Sequence, residues 1–287
     1  MRILFIRHGD PNYELDVLTE QGKKEAKALA SIIRGLNVGS VFVSPLGRAR
    51  ETASYSLKEL GMEFADSADA CEAGSKGNVI SEEGTDAAPC TKAITYPWLR
   101  EFPAALFVGG DTELQKGFPH AKQEDGSYGV TYTWDIMPAY VAAHPELMHP
   151  TLWRESAVAA KSDFLPLYDE VRHGFEALLA SRGYVNQGNG VFRVEKESAE
   201  TLTFFCHFGI SSILSSILWG ISPFVPLQFT CMLPTSFSEL VTEEREQGTA
   251  MFRALRIGDQ SHLLLAGLEP SFAARFREVY SDEGHRN

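Results

Sequence analysis

Cysteine is scarce in this chain. The four cysteines, Cys71, Cys90, Cys206 and Cys231, form no Cys-x-x-Cys pair and keep no metal-ligand interval. A disulfide scaffold and a structural zinc site are thereby excluded, and the four read as reduced thiols. Basic residues are also short: 26 Lys and Arg stand against 38 Asp and Glu, a formal charge of −12. With no basic stripe to neutralise a phosphate backbone, nucleic acid is not an expected partner. No apolar run is long enough to span a membrane. The first residues pass straight into a strand, without a charged n-region, an apolar h-region or a small-residue cleavage site, so the expected placement is cytoplasmic. His120, His144, His149 and His173 follow no ligand spacing and no Asp/Glu cluster joins them, so no metal is expected. The sequence carries no signal for an oligomeric state.

What is present suits a large folded unit. The 287 residues are 44% hydrophobic and 22% charged, enough for one large domain or for a domain with a substantial insertion, and the second description is preferred. Strand-like and helix-like segments alternate, which predicts a sheet covered by helices on both faces. Ala26, Leu29, Ala30 and Ile33 recur at helical spacing after Thr19, a good N-cap, and before Gly35, a good stop. A second helix is expected from about Leu46 to Leu60, stopped by Gly61. Phe164, Tyr168, Val171, Phe175 and Leu178 predict a longer helix ending near Gly183, and a last helix is expected from about Pro270 to Tyr280.

Chemistry gathers at strand ends. Arg2-Ile3-Leu4-Phe5-Ile6 reads as a buried strand that delivers Arg7-His8-Gly9. Open sheets bind ligands beyond the carboxyl ends of their strands, and a phosphate suits an arginine fork beside an imidazole that is neutral near pH 7. Val41-Phe42-Val43 leads into Ser44-Pro45-Leu46-Gly47-Arg48, which puts Arg48 in the first turn of a helix. The macrodipole opposes a cation there, so an anionic ligand explains Arg48 better than helix stability does. Arg50, by contrast, reads as an ordinary helix arginine. Thr201–Cys206 forms a third apolar strand, and it delivers His207. Cys206 should point to the opposite face from its neighbour, in a structural role.

Together these pieces resemble the histidine phosphatase superfamily, the phosphoglycerate mutase-like fold. Arg7-His8-Gly9, Leu18-Thr19-Glu20-Gln21-Gly22, Ser44-Pro45-Leu46-Gly47-Arg48-Ala49, His207-Phe208-Gly209 and Gly258-Asp259-Gln260-Ser261-His262-Leu263 match in order. The resemblance covers about two thirds of the chain. It implies a three-layer α/β/α sandwich with a mostly parallel central sheet, one domain over residues 1–287. Two stretches are unmatched: residues 66–97, of which about 66–92 read as a long polar loop, and an aromatic-rich insertion at about 103–150 that resembles the cap setting substrate choice in the superfamily. Its aromatics, among them Phe107, Phe118, Tyr132, Trp134 and Tyr140, suit either a pocket wall or the cap's own core.

The resemblance also implies roles. His8 is the expected nucleophile, forming a phosphohistidine that water cleaves. Arg7, Arg48 and His207 are expected around the phosphoryl oxygens. Cationic neighbours should keep His8 neutral. The leaving alkoxide needs a proton, and Glu101, in a Leu-x-Glu spacing that resembles the family's acid motif, is the expected donor; Asp135, between aromatics, is the alternative. The segment Asp10-Pro11-Asn12-Tyr13-Glu14 departs from the mutase pattern: Pro11 has neither hydroxyl nor N–H, Glu14 brings a negative charge, and Asn12 is left as the polar phosphate contact. The expected activity is therefore a metal-independent, cofactor-free phosphomonoester hydrolase acting on a small phosphorylated metabolite. A phosphoglycerate-type mutase is the alternative, and a silent binding protein of the same fold is the third reading.

Overall fold

The computed structural model describes residues 1–65, 92–271 and 279–281. In chain order its strands are β1 (Arg2–Arg7), β2 (Pro11–Asn12), β3 (Val17–Leu18), β4 (Ser40–Val43), β5 (Glu63–Phe64), β6 (Lys92–Thr95), β7 (Ala105–Phe107), β8 (Val130–Tyr132), β9 (Tyr184–Asn186), β10 (Val191–Val194), β11 (Thr201–Cys206), β12 (Phe237–Glu246) and β13 (Thr249–Asp259). The principal helices are α1 (Glu20–Ile32), α2 (Gly47–Leu60), α3 (Phe164–Ser181), α4 (Phe208–Trp219), α5 (Phe224–Phe229) and α6 (Ser261–Leu265).

Nine strands form one mixed sheet in the order β5-β6-β4-β11-β1-β12-β13-β10-β9. The first five run parallel. The remaining four are antiparallel to their neighbours. The central strands are apolar on both faces, as burial under two helical layers requires. Ile3 and Phe5 of β1, Phe42 of β4 and Leu202, Phe204 and Cys206 of β11 face α3 and α4 in the larger core. Ile6, Val41, Val43 and Phe205 face the other way, onto Leu29 and Ile33 beside α1 and Ala53 and Leu57 of α2. A one-residue slip in any of these strands would exchange both sets, at about 1.5–3 kcal/mol for each large side chain removed from its core. Cys206 is buried on the face that strand alternation predicts, and burial pushes its thiol up, which leaves it unreactive.

Helix ends follow local chemistry. The Thr19 side chain accepts from the Gly22 N–H at the start of α1, and Gly61, at φ 68°, closes α2. The end of α1 differs from the sequence expectation. A 3-10 turn over Ile33–Leu36 includes Gly35, and the left-handed residue that terminates it is Asn37, at φ 53°. Asn tolerates this conformation through its short polar side chain, so Gly35 is not needed as the stop.

The insertion is built on the β7–β8 hairpin and short helices at Thr112–Gly117 and Pro138–Ala143. Leu106, Leu114, Phe118, Tyr140 and Leu147 are buried and join Trp153 and Phe164 in the larger core. Phe107, Val130 and Tyr132 remain exposed. The polar stretch expected at 66–92, apart from Lys92, lies outside the described residues, as does most of the helix expected at Pro270–Tyr280. Among the described residues no helix is long and apolar enough to cross a membrane.

Candidate active site

Three adjacent parallel strands, β4, β11 and β1, end on the same edge of the sheet. The register sets their exits level: Arg7 lies opposite Cys206, and Phe205 opposite Val43. The His8 N–H donates to the Cys206 carbonyl at 3.0 Å and the Ser44 N–H to the Phe205 carbonyl at 2.9 Å. The topology therefore brings Arg7, His8, Arg48 and His207 together from positions 200 residues apart.

His8 is buried, and its Nδ1 lies 2.7 Å from the Gly9 carbonyl. Only a protonated Nδ1 can serve that carbonyl, so the lone pair falls on Nε2, which accepts from Arg48 Nε at 3.3 Å. Burial foremost, then the charges of Arg7 and Arg48, hold the His8 pKa well below its ordinary value. The ring is a neutral base with its reactive nitrogen turned toward a guanidinium. Cationic neighbours were expected to do this; burial does more.

The anion anticipated at the N-terminus of α2 has a resident counterpart. Asp16, at φ 53° in the turn between β2 and β3, accepts from the Gly47 N–H at 2.6 Å and from Arg48 NH1 at 2.6 Å. Arg48 itself is buried and lies under the ring of Tyr13, 5.4 Å from its centroid. The acidic charge at this spot thus belongs to Asp16, while Glu14 is exposed. Asn12 is not drawn into the cluster: its Oδ1 accepts from the Leu15 N–H at 3.1 Å and shapes the same turn.

His207 is fully buried, with its ring centroid 5.0 Å from that of His8. The Leu46 N–H donates to Ser44 Oγ, so the Ser44 hydroxyl is free to donate to His207 Nε2, 2.7 Å away. The other ring nitrogen, His207 Nδ1, is buried without a partner. Burial, then His8, Arg48 and Arg7, hold its pKa well below the ordinary value. Arg7 donates from NH1 to the Met232 carbonyl at 2.6 Å, while its Nε is also buried without a partner. Two buried polar nitrogens, Arg7 Nε and His207 Nδ1, are therefore desolvated and unanswered beside a neutral imidazole, a costly arrangement at about 1–3 kcal/mol for each.

Glu101 lies against the first turn of α4, where its Oε1 accepts from the Ile210 N–H at 3.2 Å and from the Phe102 N–H at 2.9 Å. Burial raises its pKa despite those amides and the charges of Arg7 and Arg48, and this favours the proton-carrying form before any substrate arrives. Gly209 makes the approach possible, because a Cβ there would stand 2.8 Å from Glu101 Oε1 and 3.0 Å from the Phe102 carbonyl. Asp135 is solvent-exposed on the insertion.

Behind these groups lies a supporting set that the sequence reading did not single out. The Thr52 hydroxyl donates to the Arg48 carbonyl and accepts from the Gly9 N–H. Glu25, fully buried on α1, accepts from the Asp10 N–H at 2.8 Å, and burial pushes its pKa up to about 7. Thr235, a β-branched residue held at φ 58°, donates its N–H to the His8 carbonyl and shares its hydroxyl with buried His262 at 2.9 Å. Burial lowers the His262 pKa to about 4. A left-handed threonine costs on the order of 1–3 kcal/mol. Two hydrogen bonds keep it there, and the loop it shapes carries the Met232 carbonyl that seats Arg7.

No curated protein matches the chain in sequence. Among solved structures, the chain is similar to a mycobacterial glucosyl-3-phosphoglycerate phosphatase in complex with inorganic phosphate, at 15% identity and a TM-score of 0.49, covering 91% of this chain and 98% of that one. It is similar also to a phosphoserine phosphatase mutant from Entamoeba histolytica, at 14% identity and 0.49, with coverage of 91% and 98%. A third is the alpha-ribazole phosphatase from Shigella flexneri, at 17% identity and 0.45, with coverage of 91% and 97%. A family model matches residues 3–74, the stretch that contains Arg7, His8, Asp16 and Arg48 but neither Glu101 nor His207. Over that stretch the chain is similar to the histidine phosphatase superfamily (branch 1).

Proposed function

We propose that the chain is a phosphomonoester hydrolase working through a phosphohistidine on His8, with Glu101 as proton donor. We take residues 1–287 as one histidine phosphatase-like α/β unit capped by the insertion at about 103–150. One observation carries the reading: Arg7 Nε and His207 Nδ1 are buried polar nitrogens without partners beside the lone pair of a neutral His8 Nε2. A phosphoryl group offers several oxygens to such groups and an electrophilic phosphorus to the His8 nitrogen.

His8 Nε2 attacks phosphorus as the bond to the leaving oxygen breaks. Arg7, Arg48 and His207 take up charge on the three remaining oxygens. Glu101 gives its proton to the departing alkoxide, then as carboxylate accepts one from the water that attacks phosphorus on the far side. The P–N bond breaks, inorganic phosphate leaves, and His8 is neutral again. Charge supplied by arginines serves the reaction without a metal.

The deciding experiment is phosphate release from p-nitrophenyl phosphate in EDTA by the natural chain and by His8→Ala. The expected result is release by the natural chain and a loss on the order of 10⁴-fold or more in the variant. Equal release by both overturns the role of His8. A mutase would instead exchange phosphate between substrates with little net release and would need priming by a bisphosphate.

A further inference from the structure

We propose that Tyr132 and Trp134 form the seat of the substrate's alcohol half, and that the substrate class is a phosphomonoester whose alcohol carries a planar, unsaturated or aromatic group next to the phosphate. The inference rests on the phosphomonoesterase reading, since it names the leaving group of that reaction.

The two rings are stacked, with centroids 5.1 Å apart and planes 9° from parallel. Other aromatics of the insertion are spent on packing: Phe118 and Tyr140, with Leu147, are buried in the larger core. Tyr132 stays half exposed, on the β7–β8 face that also carries Phe107 and Val130, both more than half exposed. Register and strand alternation place these side chains together, because Phe107 pairs with Val130 and Ala105 with Tyr132, while Leu106 and Thr131 turn inward. Neither strand has a cation on that outward face, so a second phosphate or a carboxylate on the alcohol finds no partner there.

Trp134 connects this face to the chemistry. A Cβ at Gly209 would lie 2.8 Å from Glu101 Oε1 and 3.2 Å from Trp134 Cζ3, so the ring edge and the carboxyl border the same small space. The ring edge of Trp134 thus stands beside the carboxyl group that would protonate the leaving alcohol. The indole is also pre-set: Gln228 of α5 donates to the Trp134 carbonyl at 2.6 Å, and the ring stacks on Tyr132. Little freedom remains to be lost when a planar ligand extends the stack.

Calorimetric titration of the natural chain and of Trp134→Ala with phenylphosphonate and with methylphosphonate tests the seat without requiring turnover. The natural chain should bind the phenyl compound roughly tenfold more tightly. Trp134→Ala should erase that preference while leaving methylphosphonate affinity within about twofold, and Trp134→Phe should keep most of it. Tyr132→Ala, at an exposed site, should reduce the preference without disturbing folding. In turnover, loss of the ring should raise KM for aryl esters and leave kcat in place, because the seat holds ground and transition states alike. Equal affinity of the natural chain for the two phosphonates, no binding of either, or an equal loss of both in Trp134→Ala overturns the proposal. Absence of phosphate release from every ester, with the phenyl preference intact, overturns the hydrolase reading and leaves the planar-ligand seat standing.

Discussion

The two ends of the site are built on opposite principles. The cradle of Arg7, His8, Arg48 and His207 is polar, desolvated and tied down by hydrogen bonds: His8 is held through the backbone of Gly9 and Thr235, Arg7 through the Met232 carbonyl, Arg48 through the Asp16 carboxylate and His207 through the Ser44 hydroxyl. The mouth is apolar: Phe107, Val130 and Tyr132 stand largely open to solvent on a two-stranded hairpin, with half-buried Trp134 just beyond it. The difference teaches where precision is needed. Charges that must meet a transition state have to be oriented in advance, since a misplacement of an ångström weakens them. An aromatic wall tolerates lateral shifts of its ligand, so substrate choice can reside on a marginal element without disturbing the chemistry.

Substitutions should break the two ends differently. After His8→Ala, the largest loss is expected for Arg48→Ala, on the order of 10³-fold in kcat/KM, with Arg48→Lys recovering little because a point charge cannot serve Asp16 and a phosphoryl oxygen together. Steady-state hydrolysis of one aryl and one alkyl ester checks it, and both substrates should suffer equally. Glu101→Gln comes next, at about 10²-fold or more on an alkyl phosphate and far less on p-nitrophenyl phosphate, whose leaving group needs little protonation. Because the acid form is the active one, the rate of the natural chain should fall as pH rises through the raised pKa of Glu101. The variant should lack that limb in a pH–rate profile on the alkyl ester. Equal losses on both esters would reassign the acid, with Asp135 the residue to test next.

Two buried supports should act on stability rather than on chemistry. Glu25 is harder to ionise folded than unfolded, so its contribution is intact below about pH 4.5 and is lost as pH rises toward 7. Glu25→Gln keeps an oxygen for the Asp10 N–H and removes the buried charge, and should exceed the natural chain in stability by about 3 kcal/mol at pH 8 but not at pH 4.5. His262 has the opposite sign: neutral when folded, it stabilises above about pH 6.5 and loses that contribution as pH falls toward 4. His262→Gln should flatten the acid side of the same profile. Urea unfolding across pH measures both. The smallest effects belong to the mouth, where Tyr132→Ala should leave stability within about 0.5 kcal/mol, as exposed substitutions do.

How much of this was legible in the sequence tracks the range of each interaction. Arg7, His8 and His207 announce themselves because an apolar strand and the residue after it are contiguous. Cys206 was placed by alternation alone. Glu101 was reached through the Leu-x-Glu spacing, and its carboxyl is beside α4 because Gly209 leaves room. Asp16 went unread: its partners Gly47 and Arg48 lie 31 and 32 residues on, and nothing local marks an acid in a left-handed turn as a cap for a distant helix. The link from Thr235 to His262 was hidden in the same way, although His262 lay within a matched motif. Asn12, chosen for its chemistry, is used by its own turn. The antiparallel wing of the sheet follows from pairings that no single segment encodes.

Asp16 has a consequence for how substrate arrives. With its carboxylate on Arg48, Asp16 neutralises one of the two arginine charges of the cradle, while the chain as a whole carries −12. A dianionic phosphate therefore diffuses toward a net repulsive body and feels its partners only on close approach. Raising ionic strength from 0.01 M to 0.15 M shortens the Debye length from about 30 Å to about 8 Å, which should speed the encounter where an electrostatically steered site would slow. On the proposed reading, added salt should help capture, with recognition beginning at contact.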